Sequence, residues 1–191
     1  MRVTHLVSSA VAGLALSAIV GVAPAAAQRA TALASDSTFM QSVSSIGLLQ
    51  AKLAKLAQDK GTSPAVQELG KRLSADYAKS NQELATAAKQ AAFPAPTLMR
   101  QHQQTFNRFD HMSRSAFDKA YTEQVVSDHN EAVRLYQDEA ESGKIASLKQ
   151  LATTMLPTAQ EHLAVATETA GAVGADVTAS NADGKKTTGS H

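Results

Sequence analysis

Two short stretches hold the residue types able to do chemistry. VVSDHNEAV, residues 125–133, sets Asp128 beside His129, and LPTAQEHLAV, residues 156–165, carries His162. Two imidazoles and a carboxylate are donors for a transition-metal site, and a metal there would bring redox or hydrolytic chemistry. The same side chains have a plainer use. A neutral imidazole inside a helical protein satisfies itself by hydrogen bonding to a neighbour, here Asp128 or Tyr77. Asp128 and Asp76 serve equally well as seam carboxylates in ion pairs. Tyr77, Tyr121 and Tyr136 fit core positions with the hydroxyl at a polar edge. His102 and His111 fall between the long helical stretches and are expected in solvent.

Spacing separates the two uses. Di-iron bundles use Glu-x-x-His, because residues three apart share a helix face. No His of this chain has a Glu three positions before it, and Glu161 adjoins His162 and so points elsewhere. His-Glu-x-x-His, a Ser/His/Asp constellation and a glycine-rich phosphate loop are also absent from the sequence. Depth is a second check. His129 lies 14 residues before Gly143 and His162 lies 19 after it. On antiparallel helices those depths differ by about five residues, or about 7.5 Å of rise. One ion shared by both rings needs each nitrogen about 2.1 Å from it. The spacing favours hydrogen-bonded imidazoles with no catalytic set and no cofactor, and a transition metal ion on His129, His162 and Asp128 is the alternative.

The elements that must position these residues are helical. Phe39, Val43, Ile46, Leu49, Leu53 and Leu56 recur every three or four residues and predict a helix from about Ser37 to Lys60, capped by Ser35, Asp36 or Ser37 and stopped by Gly61. Ser63 and Pro64 open a second helix with the stripe Val66, Leu69, Leu73, Tyr77, Leu84 and Ala88, which ends before Pro94 and Pro96. In the connector TLMRQHQQTFNRFDHM, Leu98, Phe106 and Phe109 predict a short helix across the bundle end. A third long helix spans about Arg114 to Glu141, with Phe117, Tyr121, Val125, Ala132, Leu135 and Tyr136 facing inward. A fourth spans about Lys144 to Ala170, with a kink expected from Pro157. Alternating strand patterns are absent. Tight links one–two and three–four with a long middle link predict an all-α protein: a ferritin-like four-helix bundle of two antiparallel hairpins. The boundaries are a signal peptide over 1–27, a disordered leader over 28–36, the bundle over 37–170 and a disordered tail over 171–191. LSADYAKSNQEL and VVSDHNEAVRLY also echo one another, superposing Asp76 on Asp128.

Composition and the N-terminus give an address. Arg2 followed by an apolar small-residue run and the Ala-x-Ala of APAAAQ predicts a cleaved secretory signal, and an uncleaved anchor is the alternative. Removing Arg2 from the 18 basic residues leaves 17, against 17 acidic. A near-zero charge with no basic cluster argues against nucleic acid and anionic membrane surfaces. The chain has 0 Cys, which removes thiol catalysis, thiolate metal sites and disulfide stapling. The predicted location is the bacterial periplasm or cell envelope.

The pieces FMQSVSSIGLLQAKLAKLAQDKG, AFDKAY followed by SDH, and LPTAQEHL resemble the family called domain of unknown function 4142, over about Phe39 to Ala166. The resemblance implies an exported bacterial four-helix bundle of ferritin-like fold, often labelled an outer-membrane protein, with no established activity. Similar members commonly carry Glu where Gln50 stands and Asp-His where this chain reads Asp76-Tyr77, whereas Asp128-His129 and His162 match. The resemblance therefore adds Gln50 to Asp76 and Tyr77 as candidates for a polar cluster. Neutral Gln is a poor ligand for a hard cation, and Tyr must lose a proton to ligate. The departure favours a hydrogen-bonded seam. The function expected is a non-enzymatic interaction or stress-related role in the envelope, through an envelope protein partner or a homo-oligomer. The alternative is a metal-binding or redox-active bundle using His129 and His162.

Overall fold

The computed structural model describes residues 25–177, with side chains from residue 34 onward. Their regular elements are five helices: α1 (Ala25–Lys60), α2 (Pro64–Gln90), α3 (Arg100–Asp110), α4 (Arg114–Ser142) and α5 (Ala146–Ala172). No strand occurs among the described residues. Most of the predicted signal segment, and the tail from residue 178, lie outside them.

The turns come where turn chemistry sits. Gly61 ends α1, with its N–H on the Ala57 carbonyl, and Pro64 opens α2. Gly143 ends α4. At Gly70 α1 and α2 approach closely. A Cβ there would come within 2.8 Å of both the Ala54 carbonyl oxygen and the Ala57 Cβ, so this crossing tolerates no side chain. The helix α5 continues unbroken through Pro157.

The link between the hairpins departs from expectation in direction. Instead of crossing the bundle end, α3 runs lengthwise beside the second half of α1. Ser45 Oγ accepts the Met99 N–H at 2.8 Å, and further along, Lys60 Nζ donates to the carbonyls of Phe109, Asp110 and Met112. The link thus carries the chain back to the end where α2 began. In consequence α4 starts beside the α1–α2 turn, with Arg114 Nη2 on the Asp59 carbonyl at 2.6 Å. His102 corrects another expectation. It is 7% exposed, because it shares a face of α3 with Phe106 and Phe109 and docks on α1.

The leader expected over 28–36 is helical, because an Ala-rich run without Gly or Pro extends α1 backward. Asp36 is 0% exposed and caps a different helix from its own: Oδ2 accepts the N–H of Ile145 at 2.6 Å and of Lys144 at 3.0 Å. At the opposite end Asp118 of α4 does the same for α2. Its carboxylate takes the N–H groups of Thr62 and Ser63 and the Thr62 hydroxyl. Each hairpin caps the other. Asp36 and Asp118, Lys60 and Ser142, Pro64 and Ala146, and Gln90 and Ala172 all stand 82 residues apart. The internal repeat therefore pairs α1 with α4 and α2 with α5. The echo of α2 on α4 seen in the sequence is not the structural one.

Residues 171–177, expected in the tail, belong to the fold. The helix α5 runs to Ala172, Gly174 turns the chain at φ 65°, and Ala175 and Val177 pack back on the core.

The interior divides in two. One apolar cluster, around Leu53, Leu73, Phe109, Phe117 and Tyr121, fills the end with the α1–α2 turn. The other, around Phe39, Val43, Ile46, Leu84, Tyr136 and Leu148, fills the end with the α4–α5 turn. Between them lies a layer of polar side chains.

Candidate functional site

The polar layer is built from six residues on four helices: Gln50 on α1, Asp76 and Tyr77 on α2, Asp128 and His129 on α4, and His162 on α5. They join into three small sets rather than one ligand cluster.

The first set is Asp128. Gln50 Nε2 donates to its Oδ2 at 2.6 Å, and Gln124 Nε2 donates to its Oδ1 at 2.8 Å. Asp128 is 5% exposed, and burial raises its pKa to about 7, with the two amide bonds opposing the rise. Among the described residues neither an imidazole nor a cation pairs with it, so two amides take the place of the ion pair expected of this seam carboxylate. Gln124 precedes Asp128 by one helical turn, and that spacing was the sequence signal for this contact.

The second set is His129. Its Nδ1 lies 2.7 Å from the Val125 carbonyl, which only accepts, so Nδ1 carries the proton. Nε2 is therefore the acceptor, and the Tyr77 hydroxyl donates to it at 3.0 Å. Both ring nitrogens are committed. Burial lowers the His129 pKa to about 4 and the nearby His162 ring adds to this, while the Val125 bond works against it. Burial also holds the Tyr77 phenol well above its ordinary value.

The third set is His162, whose Nε2–H donates to Asp76 Oδ2 at 2.9 Å. Burial lowers this imidazole too, with the Asp76 contact opposing. Asp76 also faces Arg72, Nε to Oδ2 being 3.9 Å, and Arg72 Nη2 reaches Glu161 at 2.5 Å. Arg72 and Glu161 flank the layer at the surface.

The rings themselves converge. The His129 and His162 centroids are 5.4 Å apart, and Tyr77 lies 6.0 Å from the first and 5.6 Å from the second. Helical depth alone separated the histidines by about 7.5 Å of rise. Side chains lean toward the N-terminus of their own helix. On α4 that carries His129 away from the Gly143 turn, and on α5 it carries His162 toward it. The two leans close the gap.

A di-iron centre does not fit these residues. The position on α1 is an amide, and Asp128 turns to Gln50 and Gln124 instead of toward the imidazoles. Asp76 is the carboxylate at the histidines, on His162. Among the described residues no three His, Cys, Asp or Glu side chains are grouped to hold an ion.

The spacing arguments missed a second polar pair. Ser45 Oγ, which accepts the Met99 N–H, is also hydrogen-bonded to His102 Nδ1 at 2.6 Å. Ser45 is 0% exposed, so the pair is a clasp that seats the connector on α1 and not an available nucleophile. The His102, Phe106, Phe109 spacing was the signal for it. Burial lowers the His102 pKa.

One side of the layer is open. Helices α2 and α5 leave a cleft of about 410 Å³ whose floor shows Val43, Ile46, Tyr136 and Met155 of the second core cluster. Tyr77, Asp76 and His162 line it beside Arg72 and Glu161, and Lys79 and Glu83 line it as well.

No helix among the described residues is long and apolar enough to cross a membrane. No curated protein and no solved structure matches the chain. The family described as "Domain of unknown function (DUF4142)" matches residues 21–169, and the chain belongs to that family.

Proposed function

We propose that this chain is an exported, non-enzymatic protein of the bacterial cell envelope, a four-helix bundle of ferritin-like connectivity that acts by binding, in an interaction or stress-protective role. The observation that carries the reading is the commitment of His129, Asp128 and His162 to neighbouring groups. His129 is held at both nitrogens, Asp128 at both oxygens, and His162 is bonded to a carboxylate. Groups fixed in this way specify register and rigidity at a bundle's centre, and a general base or nucleophile needs a free lone pair facing substrate. The long link returning along α1 supports the connectivity. The Arg2–apolar–Ala-x-Ala order supports export. Cell fractionation with intact-mass measurement tests the address: the expected species is periplasmic or envelope-associated and begins at Gln28. A cytoplasmic chain beginning at Met1 overturns it.

A second reading has its own observation. The two imidazoles that spacing kept apart meet at 5.4 Å with the Tyr77 ring beside them, which suits a transition metal ion gathered by His129, His162 and a deprotonated Tyr77. Elemental analysis of untagged protein decides between the two. Stoichiometric metal that disappears in His129→Ala favours this second reading. A melting temperature indifferent to added metal ends it, because an ion bound only to the folded state must stabilise that state.

A further inference from the structure

The cleft between α2 and α5 has an amphiphilic plan. At its base Val43, Ile46 and Met155, only 2%, 2% and 7% exposed, border the space, with the Tyr136 hydroxyl turned onto Met155 Sδ at 3.4 Å. This leaves an apolar, polarisable floor bordered by the aromatic side chains of Tyr77 and Tyr136. At about 410 Å³ it is of a size to enclose a small organic molecule.

The polar end has a sign. Three carboxylates, Asp76, Glu83 and Glu161, line the cleft against two cations, Arg72 and Lys79. Arg72 is shared between Asp76 and Glu161, and Lys79 faces Glu83 at 3.9 Å. One negative charge is therefore left unanswered at the Asp76 end. The His162 imidazole, 4% exposed, donates its Nε2–H to Asp76 Oδ2 and fixes that carboxylate at the cleft wall, where its side chain is 41% exposed. The His162 bond and the Arg72 contact both fall on Oδ2, and Oδ1 is the oxygen offered to an incoming N–H. The Tyr77 hydroxyl spends its proton on His129, so its oxygen can only accept further. The charged donor at this end, the Arg72 guanidinium, is already shared between Asp76 and Glu161.

We infer that the α2–α5 cleft is a binding site for a small organic cation, a primary amine on a flat apolar body, with the ammonium group on Asp76 and the body on Ile46, Met155 and Tyr136. Ammonium next to aromatic faces adds a cation–π contribution to the ion pair. This deepens the proposal that the protein acts by binding and rests on it.

The test uses three probes that share a phenethyl group: 2-phenylethylamine, 2-phenylethanol and 3-phenylpropionate. Each is titrated into the mature chain, with binding followed by NMR of the Met155 and Ile46 methyl groups. The amine is expected to saturate and to bind about tenfold more tightly than the alcohol, with the carboxylate weakest. Asp76→Asn should erase the preference for the amine while leaving the alcohol's affinity unchanged. Thr158→Trp, on the exposed lip of the cleft, should block all three probes in a protein that still folds. The site is overturned if the amine fails to saturate, if the carboxylate binds equally well, or if Asp76→Asn leaves the order intact. Failure of binding leaves the non-enzymatic reading standing. An amine that binds and is chemically converted supports the site and overturns that reading.

Discussion

The Tyr77 hydroxyl donates a 3.0 Å hydrogen bond to His129 Nε2, joining α2 of the first hairpin to α4 of the second through a pair buried from solvent. The bond sets the tautomer of the histidine, since the Val125 carbonyl claims the other nitrogen. It also ties together the two apolar clusters, because Tyr77 belongs to the first and His129 sits where the second begins.

Removing that donor should cost stability without unfolding the chain. Tyr77→Phe leaves a buried imidazole nitrogen unpaired, a loss of about 1–3 kcal/mol. Urea denaturation should show a lower midpoint with an unchanged slope. A midpoint within error of the parent would mean that water replaces the phenol.

The paired groups Asp128 and His129 should make stability respond to pH in opposite directions. Burial places Asp128 near 7, so the folded chain keeps a proton that the unfolded chain releases near 4, and stability falls as pH rises between these values. Burial places His129 near 4, so the unfolded chain takes up a proton first, and stability falls as pH drops from about 6.5 to about 4. The two effects oppose across about pH 4–6.5. Subtracting each variant's stability profile from the parent's separates them. Asp128→Asn should be relatively more stable near pH 7 than near pH 4, and His129→Gln should show the reverse trend, each on the order of 1–3 kcal/mol. Parallel profiles for both variants would rule the assignment out.

The cross-hairpin caps should each matter about equally. Asp36→Ala uncovers the N–H groups of Lys144 and Ile145, and Asp118→Ala those of Thr62 and Ser63. Each should lose about 1–2 kcal/mol, and the double variant should lose the sum, because the sites lie at opposite ends of the bundle. Strong non-additivity in thermal melts would contradict that separation.

The connector clasp should be local. Ser45→Ala removes both the acceptor for Met99 N–H and the hydroxyl paired with His102. Hydrogen exchange should accelerate through α3, Arg100–Asp110, with little change in α5. Uniform acceleration over the whole chain would show that α3 does not open independently.

The polar layer should be convertible into a metal site. Gln50→Glu places a second carboxylate against Asp128, and Tyr77→His replaces the phenol now bonded to His129 with a third imidazole. The double variant should be raised in melting temperature by added zinc or cobalt, where the parent is not. Equal shifts in both proteins would mean that Tyr77 and Gln50 do not limit metal binding.

Much of this was legible in the chain alone. Helix stripes such as Phe39–Val43–Ile46 and stops such as Gly61, Pro94 and Gly143 are local physics, a matter of which face is apolar and which residue cannot continue a helix, and the five helices follow them closely. The sequence also singled out Asp76, Tyr77, Asp128, His129 and His162 of the polar layer, and the family resemblance added Gln50. Their pairing was decided by tertiary structure. Asp36 read as a cap for its own helix and serves Ile145 instead, because a carboxylate bonds to whichever free N–H groups packing brings near. His102 read as exposed until α3 lay along α1. The lean of side chains on antiparallel helices brought His129 and His162 together, and Gln50 and Gln124 drew Asp128 away from them. Period and punctuation act over a few residues and can be read in order along a chain. Hydrogen-bond partners 50 to 109 positions apart depend on how helices are rotated and offset against one another, which no local pattern encodes.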